Sequence, residues 1–111
     1  MTTASIAGLM VKPERIAYTS SKAAVVNMTR SMAVDLGSYN IRVNAVAPGV
    51  IETAMQKDKP AAVLQATRER VPLERLGAGY EIAKVVLILM SDMASYITAQ
   101  TNVADGGLTL R

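Results

Sequence analysis

Tyr18 and Lys22 stand four residues apart at the start of a stretch, Tyr18 to Leu36, that contains neither Pro nor Gly. On a helix that spacing puts both side chains on one face, one turn apart. A tyrosine hydroxyl titrates near pH 10 and is a poor acid–base group at neutral pH. A cation beside it favours the phenolate, and lowering its pKa by about three units takes about 4 kcal/mol of differential stabilisation. A lysine one turn away, helped by a positively charged cofactor ring, is a source of that kind. The pair alone also fits an ordinary helix surface, where Tyr and Lys often fall at this spacing without doing chemistry. Two further segments bear on it. Ser5, thirteen residues before Tyr18, precedes Ile6-Ala7-Gly8 at the end of an expected strand. Pro48-Gly49-Val50-Ile51-Glu52-Thr53 follows a second expected strand. Doubly wound sheets bind ligands off the carboxyl ends of their strands. Ser5, Tyr18 and the Pro48–Thr53 segment are therefore expected on one rim.

Composition narrows the chemistry further. The 111 residues contain no Cys and no His. That excludes disulfides, a thiolate nucleophile, Cys/His zinc sites and histidine acid–base catalysis, and no metal site is expected. Proton transfer has to come from Asp, Glu, Lys or Tyr. Aromatic residues make up 4% of the chain, so aliphatic and small side chains must fill the core. The seven Met residues read as core fillers. The net charge of +3 is mild, and the densest basic patch, Arg68, Arg70 and Arg75, has Glu69 and Glu74 inside it. That pattern reads as a solvated surface, with no nucleic-acid partner. The longest apolar run, Val85 to Met90, is too short to span a bilayer. Met1 to Gly8 lacks the basic region and long apolar stretch of a signal peptide, so a cytoplasmic protein without a membrane partner is expected. Asn27-Met28-Thr29 is formally a glycosylation acceptor, discounted because it falls inside the expected helix.

The elements that must position these residues follow from breakers and periodicity. Met1 to Ala7 reads as the end of a buried strand, and Gly8 to Arg15, with Pro13, as a loop. The Tyr18–Leu36 helix is expected to stop at Gly37 on a residue with positive φ. Ile41 to Ala47 reads as a strand ending at Pro48-Gly49. Ile51 to Val71 suits one or two short helices, Pro72 to Gly79 a loop, Tyr80 to Met93 a helix and Thr101 to Ala104 a last strand. Strands alternating with helices predict βαβ units on a parallel sheet, an α/β fold. About three parallel strands with crossover helices leave two edges close to the centre. The architecture implied is larger than the chain that carries it.

Taken together, these segments resemble the C-terminal half of a short-chain dehydrogenase/reductase. The resemblance rests on Ser5 with Ile6-Ala7-Gly8, then Tyr18-Thr19-Ser20-Ser21-Lys22-Ala23-Ala24 as the YxxxK box, then Asn40-Ile41-Arg42-Val43-Asn44-Ala45-Val46-Ala47-Pro48-Gly49 and the Ile51–Thr53 continuation. Pro72-Leu73-Glu74-Arg75-Leu76-Gly77 and Asp105-Gly106-Gly107 complete the ordered set, which covers nearly the whole chain. It implies a single partial NAD(P)-binding domain over residues 1–111, forming half of a Rossmann-like doubly wound parallel sheet. It implies hydride transfer between NAD or NADP and a secondary alcohol or ketone, in the manner of polyol or sugar dehydrogenases or of 3-oxoacyl-carrier-protein reductases.

The implied roles fall on named residues. Tyr18 would exchange a proton with the substrate oxygen. Lys22 would tune Tyr18 and hold the nicotinamide ribose. Ser5 would polarise the substrate oxygen. Pro48 and Gly49 would shape the turn beneath the nicotinamide ring, and the Ile51 backbone with the Thr53 hydroxyl would hold its carboxamide. Ile51 to Val71 would be the substrate-binding loop. The partner is a small alcohol or carbonyl compound, and the family's subunits associate as dimers or tetramers. The helix face with Val25, Met28, Thr29 and Met32 would then lie in a homo-oligomer interface. The family's glycine-rich phosphate turn, its NAG-type segment, its NAD/NADP selector and its helical Asn are not found in these residues, and Gly77-Ala78-Gly79 follows a loop rather than a strand. Ala99 stands where the family usually has Gly. A truncated enzyme and an inactive fragment serving only for association both fit that pattern.

Overall fold

The computed structural model describes residues 1–110. Its centre is a strand of very small side chains. β2 (Ala45–Pro48) has parallel neighbours on both sides, β1 (Thr2–Thr3) and β5 (Thr101–Ala104). The register aligns Thr2 with Ala45 on one side and Ala45 with Thr101 on the other. Ala45, Val46 and Ala47 have no solvent exposure. This is the expected α/β arrangement of about three parallel strands, with β2 covered on both faces as parallel strands require.

Helix α1 (Ile16–Leu36) covers one face. Residues 22, 26, 29 and 33 form its inner stripe by the three-to-four residue spacing. Val26 packs with Ala4, Ala45 and Ala47, and Val25 joins that cluster from the side. Thr29 is fully buried; its hydroxyl donates to the Val25 carbonyl at 2.7 Å and lies 2.7 Å from the Thr2 hydroxyl. The expected outer face is corrected accordingly. Thr29 faces the sheet and Val25 packs on the core, while Met28 is exposed.

A second apolar cluster joins Ile6, Val71 and Leu108, with Met10 and Val50 against it. The radius of gyration is 15.1 Å, against about 13 Å for a compact chain of this length. The molecule is elongated, 50 × 29 × 25 Å, on a thin core.

Several boundaries differ from the sequence expectation. Gly37 has φ −60° and is not the left-handed stop. The chain continues through a 3₁₀ turn, Gly37–Tyr39, and turns left-handed at Asn40 (φ 59°), where N–H groups of Asn40 and Ile41 reach the Gly37 and Leu36 carbonyls. Asn tolerates that region because its short polar side chain bonds locally. β2 starts at Ala45 rather than Ile41. Before it, Val43 donates to the Thr98 hydroxyl and accepts from the Ala99 N–H, so its partner is a loop rather than a strand.

Ile51 to Arg70 forms β3 (Ile51–Glu52), α2 (Ala54–Lys57) and α3 (Ala61–Arg70). One or two short helices were expected here and the strand was not. Within the expected Pro72–Gly79 loop lies β4 (Gly77–Ala78), parallel to β3 with Ile51 opposite Gly77. α4 runs from Gly79 to Met90 and ends before Met93, because Ser91 is extended (ψ 171°). Arg42 grips that end, donating to the carbonyls of Leu89, Ser91 and Ile97 at 2.9, 3.1 and 3.2 Å.

Candidate active site at the carboxyl rim of the sheet

The stripe that buries Val26 and Thr29 also carries Tyr18 and Lys22, eight and four residues nearer the helix start. There α1 runs past the end of β1, so the same face that is core lower down becomes rim. Tyr18 is 45% exposed and Lys22 half-buried. The Lys22 Nζ donates to the Thr3 carbonyl at 3.0 Å and lies 5.9 Å from the centroid of the Tyr18 ring. One of its three protons is thereby committed to the strand end, and the ammonium is held over the aromatic face.

Ser5 follows β1 in extended conformation (φ −168°, ψ 156°) and caps the 3₁₀ turn Ile6–Gly8. Its Oγ accepts the Ala7 N–H at 3.2 Å. Accepting leaves the hydroxyl its own proton to donate outward. Lys22 thus links Tyr18 to the end of β1 two residues before Ser5, with the Thr3 carbonyl as a contact that the sequence did not reveal.

Pro48 ends β2 on the adjacent strand, and the Gly49 N–H donates to the Ala104 carbonyl at 3.0 Å. A Cβ at Gly49 would lie 2.6 Å from the Asp105 Cβ and 2.7 Å from its Cα, so the turn sits directly on the end of β5. The Asp105 carboxylate accepts the N–H groups of Gly107 and Thr109, both at 2.8 Å. Partial burial pushes its pKa up, but the bonds from Gly107 and Thr109 outweigh burial and hold it below the ordinary value.

Ile51 lies half-buried in β3. Thr53 is exposed at the start of α2 and its hydroxyl makes no capping bond there. It opens onto a groove of about 450 Å³ shared with Glu52, Gln56, Lys57, Leu64 and Arg68. The Gln56 Oε1 is buried without a hydrogen-bond partner, and Arg68 approaches Glu52 only to 4.0 Å. The sequence marked this stretch as a substrate-binding loop without distinguishing Gln56, and placed Arg68 only in a basic surface patch.

At the far side of β3, the Arg75 guanidinium meets Glu81 in two bonds of 2.7 and 2.6 Å. Glu81 also accepts the Ala78 N–H at the start of α4. The Arg75 bond, then the Ala78 bond, hold the Glu81 carboxyl at about 2.

The donor set suits one end of a dinucleotide. Lys22, Ser5 and Thr53 offer N–H and O–H groups for ribose, carbonyl or carboxamide oxygens. The glycines with positive φ, Gly106 and Gly107, are closed off: a Cβ there would meet Val71 and Pro72 side chains at 2.7 and 2.8 Å. They form no open phosphate cradle. Among the described residues no group of acidic side chains could hold a metal ion, and no helix is long and apolar enough to cross a membrane.

A family profile described as enoyl-(acyl carrier protein) reductase matches residues 1–109. An uncharacterized short-chain type dehydrogenase/reductase of Sinorhizobium fredii is 47% identical over 107 residues, covering 94% of this chain and 20% of the relative. The chain belongs to the short-chain dehydrogenase/reductase family. Within that family it is 44% identical over 106 residues to the 3-oxoacyl-(acyl-carrier-protein) reductase FabG of Thermotoga maritima, covering 96% of this chain and 43% of FabG. Among solved short-chain dehydrogenases/reductases, a 4-hydroxyisoleucine dehydrogenase complexed with NADH superposes with TM-score 0.94 at 38% identity, covering 98% of this chain and 46% of that one. The chain spans less than half the length of these relatives, and the shared fold is that of the family's Rossmann-type enzymes.

Proposed function

We propose that this chain supplies the proton-transfer and nicotinamide-binding half of an NAD(P)-dependent oxidoreductase acting on a secondary alcohol or ketone. The supporting observation is the Lys22–Thr3 hydrogen bond, which ties the helix bearing Tyr18 to the strand end bearing Ser5. A bound NAD or NADP supplies the hydride donor or acceptor. The Ser5 hydroxyl orients the substrate oxygen. The Tyr18 oxygen takes the alcohol proton during oxidation and returns it during reduction. Lys22, over the Tyr18 ring, turns its remaining N–H groups to the ribose hydroxyls. Pro48 and Gly49 form the floor of the nicotinamide pocket, and Ile51 with Thr53 holds the carboxamide. The Gln56–Arg68 groove selects the substrate. Polyol- or sugar-type and 3-oxoacyl-type substrates both suit these motifs, and FabG among the relatives favours the second.

The same reading places the protein in the cytoplasm and in a homo-oligomer. The exposed Met28 and Val34 on α1 support association. A second reading, an association module without turnover, draws on those side chains and on the closed-off Gly106 and Gly107.

Nicotinamide fluorescence titration and a reduction assay with a 3-oxoacyl thioester separate the two. NADH or NADPH binding with turnover that is lost in Tyr18→Phe supports the enzyme. Turnover unchanged by Tyr18→Phe ends the proposed chemistry.

A further inference from the structure

We propose that Gly8 is a positioning residue whose missing side chain sets how closely the Ser5 turn approaches the Tyr18–Lys22 helix. The catalytic consequence rests on the oxidoreductase reading; the geometry stands without it. A Cβ at Gly8 would lie 2.6 Å from the Lys22 carbonyl carbon, 2.7 Å from its oxygen and 2.9 Å from the Ala23 nitrogen. All three are backbone atoms inside α1. They cannot swing aside as a side chain tip can, so the turn would have to withdraw. Gly8 has no positive φ. The requirement is therefore for space and not for an unusual backbone conformation. Gly37 and Gly79, by contrast, have nothing within 4 Å of a built Cβ.

The turn transmits the displacement to Ser5. It is a small ring closed by the Gly8 N–H on the Ser5 carbonyl at 2.9 Å and by the Ala7 N–H on the Ser5 Oγ at 3.2 Å. Ala4, just before it, is pinned to the sheet by its N–H on the Val46 carbonyl at 2.8 Å. With one side fixed at the sheet, a push at Gly8 rotates the ring and carries the Ser5 hydroxyl with it. Restoring ordinary contact, which begins at 3.4 Å, needs about 0.8 Å of movement. Misplacement by about 1 Å costs up to 10²-fold in rate.

The test uses the full chain. In the wild type, a nuclear Overhauser contact between the Gly8 α-protons and the Ala23 amide is expected; its absence overturns the proposal, whether or not any variant folds. In Gly8→Ala, the amide resonances of Ser5 to Ala7 should shift and kcat should fall about 10- to 100-fold, with KM for NADH changed less than about twofold. Gly37→Ala should leave both unchanged. In a Ser5→Ala background, Gly8→Ala should cost less than about a further twofold, because a residue acting through Ser5 has nothing left to misplace. A full additional loss in that background overturns the proposal, as do unshifted Ser5 resonances in a folded Gly8→Ala chain. If the wild type lacks turnover, the oxidoreductase reading fails for this chain, and the resonance shifts still decide the geometry.

Discussion

The rim built on β1, β2 and α1 and the segment from Ile51 to Arg70 are made differently. The rim rests on Ala4, Ala45, Ala47 and Val26, with Gly8 and Gly49 letting backbones touch. Lys22 is tied to the Thr3 carbonyl across a long sequence distance. The 51–70 segment has short helices, no buried residue in α3, and polar bonds such as Gln65 to Glu69 that span one turn. A surface held by small residues and long-range bonds fixes geometry, which proton transfer needs. A surface held by local bonds can change its side chains at little cost in stability, which suits selection among substrates.

Substitutions on the two sides should therefore fail in different ways. Tyr18→Phe should lower kcat by about 10² to 10⁴-fold with cofactor affinity nearly unchanged, since only the proton-carrying oxygen is lost. Arg68→Ala, on the other side, should raise KM for the substrate by several-fold and leave kcat within about twofold, as read from steady-state kinetics. Equal kcat losses in the two variants would erase the distinction.

Stability should divide the same way. Thr29→Val removes a hydroxyl that is fully buried between Thr2 and the Val25 carbonyl, and should cost about 1–3 kcal/mol in a urea melt. Lys59→Ala, exposed beside α3, should stay within about 0.5 kcal/mol.

A smaller gain is expected at the amino end of β5. Ala99 sits at φ 60°, a region that strains any residue with a Cβ. Ala99→Gly should stabilise by up to about 1 kcal/mol and raise the melting temperature by a few degrees.

The smallest effect concerns the Arg75–Glu81 pair. Hydrogen bonding to Arg75 lowers the Glu81 carboxyl from 4.5 to about 2. A lowered folded-state pKa means that the pair's contribution is full above pH 4.5 and fades as pH falls toward 2. Glu81→Gln should flatten the stability profile across that window, with a small loss above pH 4.5 that vanishes as pH falls toward 2. An unchanged acid limb would show that the exposed pair is inert.

The sheet, the long helix and the shared face of Tyr18 and Lys22 were legible in the sequence because each has a local signature. Thr101 to Ala104 is bounded by turn residues, and α1 is a run without breakers. What escaped notice depends on contacts between distant residues. The β3–β4 pairing involves two residues on each strand, and Gly77-Ala78 has no strand-like composition. Arg42 reads as an ordinary surface cation until α4 ends beside it. Gly37 invited a left-handed stop that Asn40 makes instead, because a glycine permits that geometry without requiring it. The Pro48–Thr53 segment was legible as a strand end, while the dependence of Gly49 on Asp105 was not, since nothing local relates residues so far apart.

α1 is buried at Val26 and Thr29 and exposed at Tyr18, with Lys22 held to the Thr3 carbonyl between them. Tyr18 stands eight residues, about 12 Å, beyond Val26 along the helix axis. The helix is therefore a lever with its fulcrum in the core and its working end over the rim. A tilt of about 5° at the fulcrum swings Tyr18 by about 1 Å. An extra methyl group on Ala45 or Ala47, well below the chemistry, would prise the helix up. On the proposed oxidoreductase reading, it would register as lost turnover before it registered as lost fold. The alanines at the centre of the sheet thus act as the shim that sets the height of the arm carrying Tyr18.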